Sequence, residues 1–248
     1  MNRNVARVVD LHKSFGENRV LTGVSVAFPA NSCTFIAGPS GTGKSVLVRH
    51  LVGLLKPDSG EVYYDDQRVD PMTEAQLLQV RKRCLYVFQH PTLFDSMSVL
   101  ENISLVLRFN MALSKREADE MAEAQLQALG LAHRLHTSPG HLPQGEQKLV
   151  SVARALALKP ETLILDEPTT GLDPFAAEQL DGVCATLSGA GRTLLIISHD
   201  LQSIRRLASQ VIFMHRGKLH FQGTPEQFFG SADPILSGFT AGDPATPL

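Results

Sequence analysis

The sequence is poor in cysteine, has no surplus of either charge and has no long apolar run. Cys33, Cys84 and Cys184 lie far apart in 248 residues and form no CxxC pair. That spacing argues against a disulfide framework and a cysteine metal site, and it fits a reducing compartment. The 23 basic residues are offset by 25 acidic ones, a net charge of -2. A nucleic-acid-binding domain usually carries a basic excess, so the reading has no nucleic-acid partner. The basic cluster Arg81-Lys82-Arg83 reads as a solvated helix face. No apolar stretch approaches the ~18–20 residues of a membrane helix. The opening "MNRNVARVVD" has no apolar core of a signal peptide. The expectation is a cytoplasmic protein, peripheral on the inner face of a membrane through a partner. No repeat or low-complexity segment interrupts the chain.

What is present fits one large α/β domain with a full core. Val5 to Leu11 and Leu21 to Phe28 alternate apolar and polar residues, as half-exposed strands do. "TFIA" is a short apolar strand, followed by a Gly-rich turn and a helical stretch from Ser45 to Leu55. "CLYVFQ" is another strand. From about Ser98 to Leu158 the spacing turns helical. "TLILDE" and "TLLIIS" are buried strands flanking the helical pattern Ala176 to Leu187. "VIFMHRGKLHFQG" reads as a hairpin turning near Arg216-Gly217, and Thr224, Pro225 and Gln227 spell a capped helix start. Buried strands alternating with helices imply a mixed sheet covered on both faces, and the polar alternation at the start implies a smaller antiparallel sheet.

The chemistry begins at "GPSGTGKS", Gly38-Pro39-Ser40-Gly41-Thr42-Gly43-Lys44-Ser45, which fits G-x-x-x-x-G-K-[ST] between a strand and a helix. Such a loop turns successive N–H groups inward, and with the helix N-terminus they cradle phosphate. Lys44 then reaches the β/γ-phosphates, and the Ser45 hydroxyl is a ligand for Mg²⁺. "LILDE" ends a buried strand in Asp166 and Glu167. Asp166 suits the Mg²⁺ shell, and Glu167 suits a base for an attacking water. His199 follows "LLIIS" and is placed to contact a γ-phosphate. Gln89 follows "LYVF" and offers an amide to metal and water.

With those motifs in this order, the chain resembles the nucleotide-binding subunit of ABC transporters from about Val5 to about Phe229. The resemblance implies a P-loop NTPase core with a mixed sheet, an N-terminal antiparallel β-subdomain and a helical subdomain. It places the ATP-binding domain over residues 1–240 and the helical subdomain over about 92–160; the closing stretch "AGDPATPL" reads as a loose tail, 241–248. It implies ATP and Mg²⁺ as cofactors. Phe15 is where the family stacks a ring on adenine, and Val46 joins the phosphate loop. Glu167, His199, Lys44 and Gln89 are the catalytic set, and Ser45, Gln89 and Asp166 the metal set. Leu172 and Asp173 in "GLDP" belong to a loop that communicates across a dimer. Two subunits enclose two ATP molecules, each site pairing one phosphate loop with the other chain's signature loop. The pair drives separate transmembrane permease subunits.

The signature loop itself is altered. The family carries Leu-Ser-Gly-Gly-Gln; here the residues are Leu142, Pro143, Gln144, Gly145 and Glu146. Pro143 has neither hydroxyl nor N–H, and Gln144 puts a side chain where backbone approaches phosphate. Either a homodimer has two slow sites, or the chain pairs with a different ATPase subunit. Val46, the stretch "LFDSMSVLENI" and the ending "DPILSGFTAGDP" further resemble ATPases of Mla/Mce lipid-transport systems. That implies phospholipid transport with an Mce-type lipid-binding partner. The alternatives are an ABC ATPase for amino acids or lipoproteins, a non-transport ABC protein, and a regulator that binds nucleotide without hydrolysis.

Overall fold

The computed structural model describes residues 3–242. The chain opens with a long hairpin, β1 (Asn4–Phe15) and β2 (Asn18–Pro29). Then come β3 (Cys33–Ala37), α1 (Lys44–Leu51), β4 (Ser59–Tyr64), β5 (Gln67–Arg68), α2 (Glu74–Arg83) and β6 (Cys84–Val87). Three helices follow, α3 (Val99–Met111), α4 (Lys115–Ala128) and α5 (Gln144–Ala157). The remainder is β7 (Thr162–Asp166), α6 (Pro174–Gly189), β8 (Thr193–Ile197), α7 (Leu201–Leu207), β9 (Gln210–His215), β10 (Lys218–Gly223), α8 (Pro225–Phe229) and α9 (Pro234–Ala241).

Two sheets form. The antiparallel one has the order β2-β1-β4-β5, and the six-stranded one the order β10-β9-β3-β8-β7-β6. In the second, β3 pairs in parallel with β8 and β9, and β7 with β6 and β8. Only β10 runs antiparallel, as the hairpin partner of β9. Arg216 at φ 47° and Gly217 at φ 72° make that turn. β3, β7 and β8 are buried at every position. They serve two cores by alternation. Phe35, Leu163, Leu165, Leu194 and Ile196 face α3–α6, while Ile36, Ile164, Leu195 and Ile197 face α1 and the antiparallel sheet. Both faces are covered, as a parallel sheet requires.

The helical segment rests on caps and one polar anchor. Ser98 and Ser114 each make a reciprocal capping box, with Glu101 and Glu117. Asn102 is fully buried in α3. Its Oδ1 accepts from the Phe94 N–H at 2.8 Å, and its Nδ2 donates to the carbonyls of Phe94 (3.1 Å) and Ser98 (3.0 Å). The loop before α3 therefore hangs on this amide. Asn102→Ala removes the partner of the Phe94 N–H and carbonyl and leaves the fully buried site in α3 without its amide, so thermal or denaturant unfolding is expected to show a loss of about 1–3 kcal/mol.

Several local expectations need correction. The helix read from Ser45 to Leu55 stops at Leu51, because Gly53 takes φ 64°. The strand read as "CLYVFQ" ends at Val87, leaving Phe88 and Gln89 exposed beyond it. Arg81 and Arg83 are not a purely solvated helix face. Arg81 donates to the carbonyls of Val52 (2.9 Å) and Gly53 (3.1 Å), and Arg83 grips Glu161 and Asp65. Val80 is buried beside them. The cluster ties α2 to the end of α1 and to the sheet. The expected tail at 241–248 lies, from residue 243 onward, outside the described residues.

Candidate nucleotide site

The strand order builds the site. β3 leads into Gly38–Ser45, β8 lies beside it and leads to His199, and β7 lies next and ends in Asp166. Three loops thus meet at the carboxyl edge of one sheet, where open α/β folds place their ligands. A cleft of about 480 Å³ opens there. Its lining includes Phe15, Ser40, Lys44, Gln89 and Glu167, with Ser45 and Val46 alongside. Phe15, at the end of β1, is 48% exposed. An aromatic face left that open at the rim is available to a planar ligand.

The loop is shaped for an anion. Gly38 sits at φ 139°, and a Cβ there would collide with the Met214 carbonyl oxygen. α1 receives no side-chain cap at Gly43, so its first-turn N–H groups remain for a ligand. Thr42 braces the loop with a 2.9 Å bond to the Pro39 carbonyl. The Lys44 ammonium rests on the carbonyls of Gly38 and Pro39, each at 2.7 Å. Burial pushes its pKa down, and the fields of Glu167 and Asp166 oppose that. A phosphate is a better partner for this ammonium than two carbonyls.

Behind the loop the Ser45 hydroxyl donates to Asp166 Oδ1 at 2.9 Å. The Tyr86 hydroxyl donates to Oδ2 of the same carboxylate at 2.6 Å, and an Arg49 guanidinium nitrogen lies 3.8 Å away. A hydroxyl and a carboxylate in contact are hard oxygen donors of the kind Mg²⁺ takes together with phosphate. Glu167 lies next in the chain. Its carboxylate accepts from Thr170 Oγ1 at 3.0 Å and meets His199 Nδ1 at 3.0 Å. Glu167, His199 and Gln89 are solvent-accessible, whereas Asp166 is buried.

The altered signature loop does not line this cleft. Leu142 is buried, Pro143 and Gln144 are exposed, and α5 starts at Gln144. Gln147 Nε2 donates to the Leu142 carbonyl at 3.0 Å, and Arg134 pairs with Glu146 at 2.8 Å. Asp173 caps α6 by accepting from the Ala176 N–H at 3.0 Å, with half-buried Leu172 just before it. Three neighbours of the cleft escaped the sequence reading. Tyr86 and Arg49 bear on Asp166, and Lys148 reaches the carbonyls of Glu167 and Thr170. No sequence signal marks Lys148, which follows Glu146 and Gln147 in the polar start of α5.

A phosphate loop, a strand-end acidic pair and a histidine on one sheet edge define a nucleotide-hydrolysing cassette of the P-loop class. The chain belongs to the ABC transporter family, whose model matches residues 21–170. It is 37% identical over 254 residues to the histidine/lysine/arginine/ornithine transport ATP-binding protein HisP of Escherichia coli, covering 98% of this chain and 99% of that one. It is 33% identical over 257 residues to the chloroplastic protein trigalactosyldiacylglycerol 3 of Arabidopsis thaliana, covering 96% of this chain and 74% of that one. The ATP-binding cassette MJ0796, solved as a post-hydrolysis dimer with ADP and phosphate, superposes with a TM-score of 0.83. That match has 28% identity and covers 89% of this chain and 98% of the other. The chain is therefore an ATP-hydrolysing ABC transporter subunit. Among the described residues no helix is long and apolar enough to cross a membrane.

Proposed function

We propose that this chain energises a separate permease for a solute of the amino-acid class, using ATP and Mg²⁺ held in the cleft. The carrying observation is the shared sheet edge: Lys44 for the phosphates, Ser45 and Asp166 for the metal, Glu167 and His199 for the water. Bound Mg²⁺ would neutralise charge developing on the β- and γ-phosphate oxygens. Lys44 exchanges its carbonyl partners for phosphate oxygens. Glu167 orients the water and accepts its proton, and His199 holds the Glu167 carboxylate in place. Gln89, exposed just past β6, senses the filled site from the permease side. The chain pairs with a second ATPase subunit, itself or another, so that Leu142–Glu146 faces the partner's nucleotide and Asp173 lies at the seam. The subunit works on the cytoplasmic face.

The amino-acid class rests on the near full-length similarity to the histidine and lysine transport protein. A phospholipid cargo is the second reading, favoured by the similarity to the chloroplastic protein named for a galactolipid. The segments that resemble lipid-transport ATPases have work to do within the fold. Asn102 anchors the loop at Phe94, and Phe239 of α9 packs edge-on against Phe213 at 5.0 Å. Such residues report on packing as much as on cargo. A complex purified through a tag on this chain and reconstituted in vesicles distinguishes the two. ATP hydrolysis that rises with histidine or the basic amino acids supports the first. Hydrolysis that responds only to the phospholipid supplied, with a lipid-binding subunit in the complex, replaces it with the second.

A further inference from the structure

Lys148 sits in the second turn of α5 and is 5% exposed. Its ammonium reaches out of the helix to two backbone carbonyls, Glu167 at 2.7 Å and Thr170 at 2.6 Å. Burying a lysine charge costs several kcal/mol unless strong acceptors surround it. An apolar residue would pack on this face of α5 at lower cost. The lysine therefore earns its place through those two carbonyls.

They belong to a strained segment. Glu167 has φ 49°, a region that residues with a Cβ seldom occupy. Such a conformation persists only where the surroundings over-determine it. Here the Glu167 N–H donates to the Ile197 carbonyl at 2.9 Å, and the Glu167 carbonyl receives Lys148. Thr170 is held by the same ammonium and returns its hydroxyl to the Glu167 carboxylate at 3.0 Å. Backbone and side chain of Glu167 are thus fixed together, and one end of the fixture is α5, the helix that begins at the signature loop.

We propose that Lys148 is a positioning residue for Glu167, binding the left-handed backbone at the base to the signature helix of the same chain. In an assembled pair, each Glu167 is then set by the helix that faces the other site's nucleotide. The inference deepens the proposed mechanism and rests on Glu167 acting as the base.

Hydrogen exchange of the peptide spanning residues 167–172 reads the positioning without any turnover. In Lys148→Met, exchange there is expected to quicken about tenfold while the phosphate-loop peptides stay unchanged. Turnover of ATP is expected to fall by about tenfold or more, while the Kd for a fluorescent ATP analogue shifts by less than about twofold. Lys148→Arg, which retains charged donors, is expected to recover most of the turnover. In a Glu167→Gln background, Lys148→Met is expected to add no further loss. Unchanged exchange in folded Lys148→Met overturns the proposal, as does weakened nucleotide binding that accounts for the whole loss. Should Lys148→Met fail to fold, Lys148→Gln, with an amide too short to hold both carbonyls, is judged by the same readouts. If Glu167→Gln leaves turnover intact, the base assignment fails, and the exchange result alone still decides whether Lys148 fixes the backbone.

Discussion

Replacing Glu167 by glutamine is expected to lower ATP turnover by about two to four decades, the range for loss of a general base. In free energy that is about 3–5.5 kcal/mol of lost transition-state stabilisation. The substitution preserves shape. A glutamine amide oxygen can still accept from Thr170 Oγ1, which now lies 3.0 Å from the carboxylate. It can also still face His199, and it keeps the carbonyl that Lys148 holds. What it loses is the ability to take a proton from water. In the proposed site nucleotide binding rests on Lys44, the loop N–H groups and Asp166, none of which changes. The variant should therefore retain ATP through size exclusion while hydrolysis at saturating ATP all but stops. Unchanged turnover would remove Glu167 from the role of base. Lost ATP retention would trace the defect to the fold.

The site was legible in the sequence where chemistry fixes both residue type and spacing. A phosphate loop needs its glycines and lysine in one order, and Gly38–Ser45 has them. The strand-end pair Asp166-Glu167 and the later His199 were readable because buried strands deliver side chains to one edge. The mixed sheet followed from buried strands alternating with helices, and its smaller antiparallel neighbour from apolar and polar alternation within the first two strands. Contacts between distant segments were not legible. Tyr86 bonds to Asp166 across 80 positions, and nothing local to Tyr86 announces it. Lys148 resembles any helical lysine until the fold brings Glu167 beneath it. Arg81 and Arg83 failed the other way. A basic triplet on a helix usually faces water, yet here two of the three are spent on Val52, Gly53, Glu161 and Asp65. The cargo lay beyond the sequence for a different reason. The residues that bind ATP are set by phosphate chemistry, which is common to transporters of unlike solutes.

The altered signature loop gives the second large effect, and here the substitution should raise activity. Pro143 occupies the N-cap of α5 at φ −53° and ψ 148°, with no side-chain hydrogen bond to the helix. Both it and Gln144 are exposed, and Glu146, Gln147 and Lys148 hold the rest of the turn in place. In the proposed pairing this turn is the signature loop, and Pro143 supplies it with neither a hydroxyl nor an N–H for a facing phosphate. A hydrogen bond to a charged group is worth about 1.5–3 kcal/mol, so Pro143→Ser with Gln144→Gly is expected to raise turnover by about 10- to 100-fold. A serine there also caps α5, because extended backbone at the N-cap lets its hydroxyl reach the N2 or N3 N–H. Pro143→Ser alone thus adds about 1 kcal/mol of stability whether or not a nucleotide faces the loop; glycine at position 144, the first of α5, offsets part of it in the double variant. The two effects separate cleanly. A higher melting temperature with unchanged turnover means the helix gained a cap and the loop had already compensated through Gln144 or the helix N-terminus. A rise in both means the facing site was limited by this loop. Measured in the purified complex with its ATPase chains counted, the same experiment decides the pairing. If this chain occurs twice, both sites should gain; beside a different ATPase subunit, the proposed pairing puts the gain on the partner's site, since there this loop faces the partner's nucleotide.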